Sequence, residues 1–163
     1  MRTPTLTTVA KRFLALTAAD LMTTHVTTIP PEMSLREAGR LLFRSDISGA
    51  PVVDSQGKCL GILSASDFVH WVGSGDEPRE RHEPTSFIAP WGDVIRLDES
   101  DDDEVRRYMT EGPVTVTCAT PITEIAQNMV DAHIHRVLVV RDEQPCGIVT
   151  STDLMAAIAK AGR

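Results

Sequence analysis

Two stretches of this 163-residue chain put hydroxyls and a carboxylate where a strand gives way to a helix: Ser64-Ala65-Ser66-Asp67 and Thr150-Ser151-Thr152-Asp153. Free backbone N–H groups and the positive end of the helix dipole gather at such a junction. The hydroxyls of Ser64, Thr150 and Thr152 can therefore share a phosphate with those amides. An ionised aspartate accepts two hydrogen bonds at once, which suits the 2′,3′-diol of a ribose. Aspartate also caps helices readily, so Asp67 and Asp153 carry two readings, sugar contact or helix cap. His135-Arg136 stands directly before the apolar run Val137–Val140. A guanidinium offers phosphate a planar fork of donors, and an imidazole can add another. A surface arginine paired with one of many carboxylates is the plainer alternative. At the matching place nearer the N-terminus stands Ser48-Gly49, which has no charge but leaves room for a close backbone approach.

Other chemistries find no footing. His133-x-His135 comes without a third ligand, so no metal site is expected. The acidic run Asp98–Glu104 lacks the glycine and the twelfth-position glutamate of a calcium loop, and reads as a solvated surface favouring the helix that starts near Glu104. Gly57-Lys58 has no glycine five places before it, Gly73-Ser74-Gly75 has no third glycine, and no G-x-S-x-G occurs, so P-loop, dinucleotide and hydrolase signatures are absent. Lys and Arg total 16 against 23 Asp and Glu, a net charge of −7, which argues against binding duplex nucleic acid. Hydrophobic residues make up 42%, enough for a packed core. No run is long enough to span a bilayer, and Phe13–Ala19 reads as a helix and not as a removable leader. The odd set Cys59, Cys118 and Cys146 implies neither a disulfide framework nor structural zinc, and suggests a cytoplasmic location.

These residues are carried by an internal repeat. Met22-Thr23 recurs 87 residues on as Met109-Thr110, and the same offset matches Thr28-Ile29 with Thr115-Val116, Glu37 with Glu124, and Pro51-Val52-Val53 with Leu138-Val139-Val140. After one residue is dropped, Gly61-Ile62-Leu63-Ser64 matches Gly147-Ile148-Val149-Thr150, and Asp67 matches Asp153. Each copy reads as β-α-β-β-α. A β-branched stretch (Val26–Ile29; Val114–Thr117) leads to a helix opened by Ser34-x-x-Glu37 in one copy and by Thr120-Pro121 in the other. An apolar strand (Ala50–Val53; Val137–Val140), a turn (Asp54–Gly57; Asp142–Pro145), a second strand (Cys59–Leu63; Cys146–Val149) and a last helix (Ser66–Val72; Thr152–Lys160) follow. A unit this small buries little by itself, so the copies are expected to pack face to face. Between them, Gly73-Ser74-Gly75 and Pro78, Pro84 and Pro90 indicate a loop, while apolar Ser86–Leu97 is expected to lie against the core.

The doubled pattern, from Met22-Thr23 through Pro51-Val52-Val53-Asp54 and Gly61-Ile62-Leu63-Ser64-Ala65-Ser66-Asp67, resembles the cystathionine-β-synthase (CBS) domain, and the pair resembles a Bateman module. The resemblance implies an α/β (α+β) fold of two repeats with pseudo-twofold symmetry: an arm 1–17, repeats 18–72 and 105–161, and an inter-repeat segment 73–104. It implies a regulatory sensor for AMP, ADP, ATP or S-adenosylmethionine, with no required cofactor and no catalysis. It further implies a homodimer forming a four-repeat disc and a regulated activity on an unidentified effector chain. In the resembled family the matching aspartate holds the ribose, and each pocket draws on both copies. One site would join Thr23, His135, Arg136, Thr150, Thr152 and Asp153. The other would join Thr110, Val114, Gly49, Pro51, Ser64 and Asp67. The first, having Arg136, is expected to take the phosphorylated ligand. Adenine would sit among residues such as Val26, Pro51, Ile62, Leu63, Pro113, Val114, Leu138, Ile148 and Val149, which could equally be core. A ligand-free interaction module of the same fold is the alternative, and an enzyme ranks third for want of a catalytic constellation.

Overall fold

The computed structural model describes residues 6–73, 85–88, 94–97 and 103–161. In chain order the elements are helices α1 (Leu6–Leu14), α2 (Ala18–Leu21) and α3 (Leu35–Arg44), strands β1 (Gly49–Val53) and β2 (Cys59–Ser64), and helix α4 (Ala65–Gly73). Strands β3 (Thr85–Ile88) and β4 (Val94–Leu97) follow, then a 3-10 turn (Val105–Arg107) and strands β5 (Thr110–Glu111) and β6 (Thr115–Val116). Helix α5 (Ile122–Asp131), strands β7 (Arg136–Arg141) and β8 (Gln144–Thr150) and helix α6 (Ser151–Ala161) complete the chain. The fold is α/β, and it divides into two compact units: Met1–Val26 with Pro113–Arg163 (the first unit), and Thr27–Gly112 (the second).

Each unit is built from the body of one repeat and the leading segment of the other. In the second unit β1 and β2 pair antiparallel, and β5 adds to β2 through Ile62 opposite Thr110. In the first unit β7 and β8 pair antiparallel, β6 runs parallel to β7, and Thr23 bridges Ile148 on the free edge of β8. Both hairpins carry a register shift at the same repeat position, Val52/Val53 and Val139/Val140. The repeat seen in the sequence is thus a repeat of strand register. The expected strand Val26–Ile29 is reduced to one parallel bridge, Ile29 with Val52, because Pro51 lacks the N–H that its counterpart Leu138 donates to the Val114 carbonyl.

Period-2 alternation sets the core. Gly61 and Leu63 of β2, and Gly147 and Val149 of β8, face inward, leaving Ile62, Ser64, Ile148 and Thr150 half-buried on the other face. Ile29, Leu35, Leu42, Val52, Leu63, Phe68 and Val105 form the second unit's core, and Ala18, Val116, Ile125, Met129, Val137, Val139 and Val149 form the first unit's.

Helix ends follow local chemistry. Ser34 caps α3 as its spacing predicts, its Oγ accepting from the Glu37 N–H at 3.2 Å. At α5 the expectation fails: Pro121 occupies the cap position, and the Thr120 hydroxyl turns back to accept from the Thr117 N–H at 3.0 Å. Helices α3 and α5 stop alike. Asp46 and His133, each at φ 53°, are left-handed, and Ile47 and Ile134 donate back to Leu42 and Met129. This is a Schellman ending with a non-glycine residue in the glycine place. His133→Gly is therefore expected to raise stability by about 0.5–1 kcal/mol, read as a higher urea midpoint at unchanged slope. The β7–β8 turn is tighter than its sequence suggests. Only Asp142 and Glu143 lie outside the strands, both left-handed at φ 50° and 63°. Pro145 is tolerated inside β8 because it sits at the register shift.

The acidic run has a structural member. Asp103 accepts from Trp71 Nε1 at 3.2 Å and from the Tyr108 hydroxyl at 2.7 Å, and the two rings meet edge to face at 6.4 Å. Asp103→Ala is expected to cost about 2 kcal/mol by stranding those donors, measured by chemical denaturation. The backbone of β3 and β4 pairs as a hairpin, Thr85 opposite Leu97. The Gly73–Pro84 loop past residue 73, the side chains of Ser86–Leu97 and residues 98–102 of the acidic run lie outside the described residues.

Candidate functional site

The β8–α6 junction gathers most of the first residue set. Arg136 sits opposite Thr150 in the β7–β8 ladder, and the Ser151 N–H that opens α6 donates to the His135 carbonyl at 2.9 Å. On the other edge of β8, Thr23 and Ile148 exchange both backbone hydrogen bonds, at 2.9 and 3.1 Å. Thr150 follows Ile148 by two residues and shares its face. His135, Thr23 and Thr152 are exposed, and Arg136 is half-buried.

Asp153 reaches back to this junction. Its Oδ2 accepts from the Thr150 N–H and the Thr150 hydroxyl, both at 2.7 Å, so it does cap α6. Its Oδ1 accepts no hydrogen bond among the described residues. The cap thus uses half of the carboxylate.

In the second unit the same device is closed. Asp67 Oδ2 accepts from the Ser64 N–H at 2.6 Å and its hydroxyl at 2.8 Å, while Oδ1 accepts from the Thr110 hydroxyl at 3.0 Å. Asp67 is buried, at 8% exposure. Gly49 and Pro51 are buried in β1, with Gly49 opposite Ser64 and Pro51 opposite Ile62. Val114 stands apart from this set. It belongs to the first unit, where its carbonyl accepts from Leu138 at 3.1 Å. Of the candidate adenine-lining residues, Leu63, Leu138 and Val149 are fully buried core, whereas Val26, Ile62, Val114 and Ile148 keep partial exposure.

A cleft of about 430 Å³ opens beside Asp153 within the first unit, a size that suits a small molecule. It runs between α1, α2 and α6 and is lined by Phe13, Leu16 and Leu21, by the cations Arg12 and Lys160, and by Asp20 and Asp153. Of the residues singled out from the sequence, only Asp153 borders it. Arg12 and Lys160 had no motif to mark them; only the α1–α6 packing makes them neighbours. Asp20 is engaged locally, accepting from the Thr17 N–H and hydroxyl, both at 2.8 Å, and these bonds lower its carboxyl pKa below the usual value. No group of three or more metal-ligating side chains occurs among the described residues, and no described helix is long and apolar enough to cross a membrane.

Comparison with known proteins agrees with this architecture. A curated, uncharacterised protein of Methanocaldococcus jannaschii is 32% identical over 130 residues, covering 73% of this chain and 77% of that one. An inosine-5′-monophosphate dehydrogenase of Halobacterium salinarum is 30% identical over 132 residues, which are 80% of this chain but 21% of the much longer enzyme. Among solved structures, a CBS domain pair in complex with 5′-methylthioadenosine and S-adenosyl-L-methionine superposes with a TM-score of 0.69 at 22% identity, covering 88% of this chain and 99% of that one. The protein CBSX2 in complex with AMP gives 0.66 at 21% identity, covering 90% and 98%. The family model of the CBS domain matches twice, over residues 18–74 and 105–160. Two matched copies over most of its length make this chain a member of the CBS-domain family.

Proposed function

We propose that the chain is a regulatory sensor that binds an adenosine-bearing ligand, AMP, ADP, ATP or S-adenosylmethionine, at the β8–α6 junction of the first unit. The observation that carries this reading is Asp153 Oδ1, an acceptor without a partner among the described residues, beside the N-terminus of α6. The ribose diol donates to Asp153. The hydroxyls of Thr150 and Thr152, with Arg136 and His135, hold a phosphate, and Thr23 borders the sugar. The second set, Gly49, Pro51, Ser64, Asp67 and Thr110, is the weaker site, because its aspartate is already satisfied. Adenosine ligands in the related pairs support the ligand class.

The protein acts without catalysis, in the cytoplasm, by changing its own assembly or a partner protein. Its assembly is a homodimer in which two chains form a four-repeat disc. Met155 and Ile158, exposed one turn apart on α6, support self-association. The same side chains favour the second reading, an interaction module that needs no ligand.

Thermal denaturation with a panel of the four ligands separates the two. A ligand at one hundred times its Kd is expected to raise Tm by about 5–10 °C. A panel that leaves Tm unmoved would favour the ligand-free module.

A further inference from the structure

The first unit holds two cysteine sulfurs in contact. Cys118 lies in the turn between β6 and α5, Cys146 lies in β8, and their Sγ atoms are 3.9 Å apart and partly buried. Arg141 Nη2 donates to Cys118 Sγ at 3.8 Å. Both side chains pack against the first unit's core beside Leu21 and Met22. The pair also lies where the N-terminal segment docks. The Cys118 carbonyl accepts from the Ala19 N–H at 3.0 Å, and Ile148, two residues beyond Cys146, is bridged to Thr23.

We infer that Cys118 and Cys146 are a reversible thiol–disulfide site, oxidised by a hydroperoxide, that ties the β6–α5 turn to β8 beneath the N-terminal segment. Sulfurs in contact need only side-chain rotation and a small backbone adjustment to reach bonding distance. Of the two sulfurs, Cys118 Sγ is the one that Arg141 Nη2 contacts, which assigns it as the attacking sulfur. The Cys118 thiolate displaces hydroxide from hydrogen peroxide and becomes a sulfenic acid. The Cys146 sulfur then attacks the sulfenic sulfur, the S–O bond breaks, and the leaving hydroxide takes the Cys146 proton as water. Two thiols and one peroxide give one disulfide and two waters. Burial raises the Cys146 thiol above the usual cysteine range, in keeping with its role as the resolving partner. Cys59 is the internal control. It lies in the other unit and donates to the Gly61 carbonyl at 3.5 Å.

The test treats the full-length chain with a small excess of hydrogen peroxide, blocks remaining thiols, and maps peptides by mass spectrometry. The expected product is about 2 Da lighter, with a Cys118–Cys146 crosslink that dithiothreitol reverses. Closing a loop with a separation of 28 residues is expected to raise Tm by roughly 5–10 °C. Cys118→Ser and Cys146→Ser should each lose both changes, and Cys59→Ser should keep them. Peptide mapping of the unaltered chain decides the matter even if a variant folds poorly. Overoxidation of Cys118 without the crosslink, a crosslink through Cys59, or a crosslink that fails to raise Tm would overturn the inference.

Discussion

Gly61→Ala is expected to destabilise the second unit by about 2–3 kcal/mol, the upper range for overpacking a tight contact. A Cβ on Gly61 would stand 2.6 Å from the Thr110 carbonyl oxygen and 3.0 Å from Met109 Sδ. The oxygen belongs to the backbone of β5, which is paired to β2, so the strand itself must shift. Thermal or urea denaturation reads the loss, equivalent to a fall in Tm of about 4–12 °C for a chain of this size. The repeat supplies a built-in comparison. Gly147 holds the matching place, but there the new Cβ meets the Met22 side chain, its Sδ nearest and its Cγ 2.9 Å away. A flexible thioether can move where a carbonyl cannot. Gly147→Ala is therefore expected to cost less, and truncating Met22 alongside it to cost less than the two changes summed. Equal stability of Gly61→Ala and the unaltered chain would mean that β5 is not seated on β2.

The second large effect concerns binding. Asp153→Ala is expected to weaken the adenosine ligand by roughly 10–100-fold, the worth of a charge-assisted pair of hydrogen bonds to a diol. Asp67→Ala is expected to change that affinity by less than about threefold, and to show itself in stability, because it removes the buried acceptor that Ser64 and Thr110 share. Isothermal titration at a temperature well below both melting transitions separates the roles. A larger loss of affinity in Asp67→Ala would reverse the ranking of the two sites.

Much of this was legible in the residues. Register and repeat came through because the Met-Thr and Val-Val pairs recur at one offset and Gly-Ile at one residue less, and the glycines now have a physical reason: Gly61 and Gly147 face the Met109-Thr110 and Met22 segments at contact distance. The Ser34–Glu37 capping box was readable because it is a local hydrogen-bond pattern. Thr120 misled for the same reason. Its type suits a cap, but a proline at the next position and a competing turn drew the hydroxyl to Thr117. The two-residue Asp142-Glu143 turn was hidden because glutamate stands at its second position, where a left-handed backbone usually calls for glycine.

The site was half legible. Residue type could say that Asp67 and Asp153 either cap or bind; both make the same cap contacts, and they differ only in Oδ1, which Thr110 fills at Asp67. Thr110 fills Asp67 from 43 residues away, a contact no local spacing reveals. The cleft cations Arg12 and Lys160, at opposite ends of the sequence, were invisible for the same reason. The thiol pair is likewise a product of folding, since residues 28 apart carry no joint motif.

A crystal structure of the chain soaked with AMP or S-adenosylmethionine puts the central claim most directly to the test. The ribose 2′ and 3′ oxygens should lie within about 3 Å of Asp153 Oδ1, with the rest of the ligand on the Thr150 side of the α6 N-terminus. A bound ligand whose ribose touches no atom of the Thr150–Asp153 stretch would contradict it.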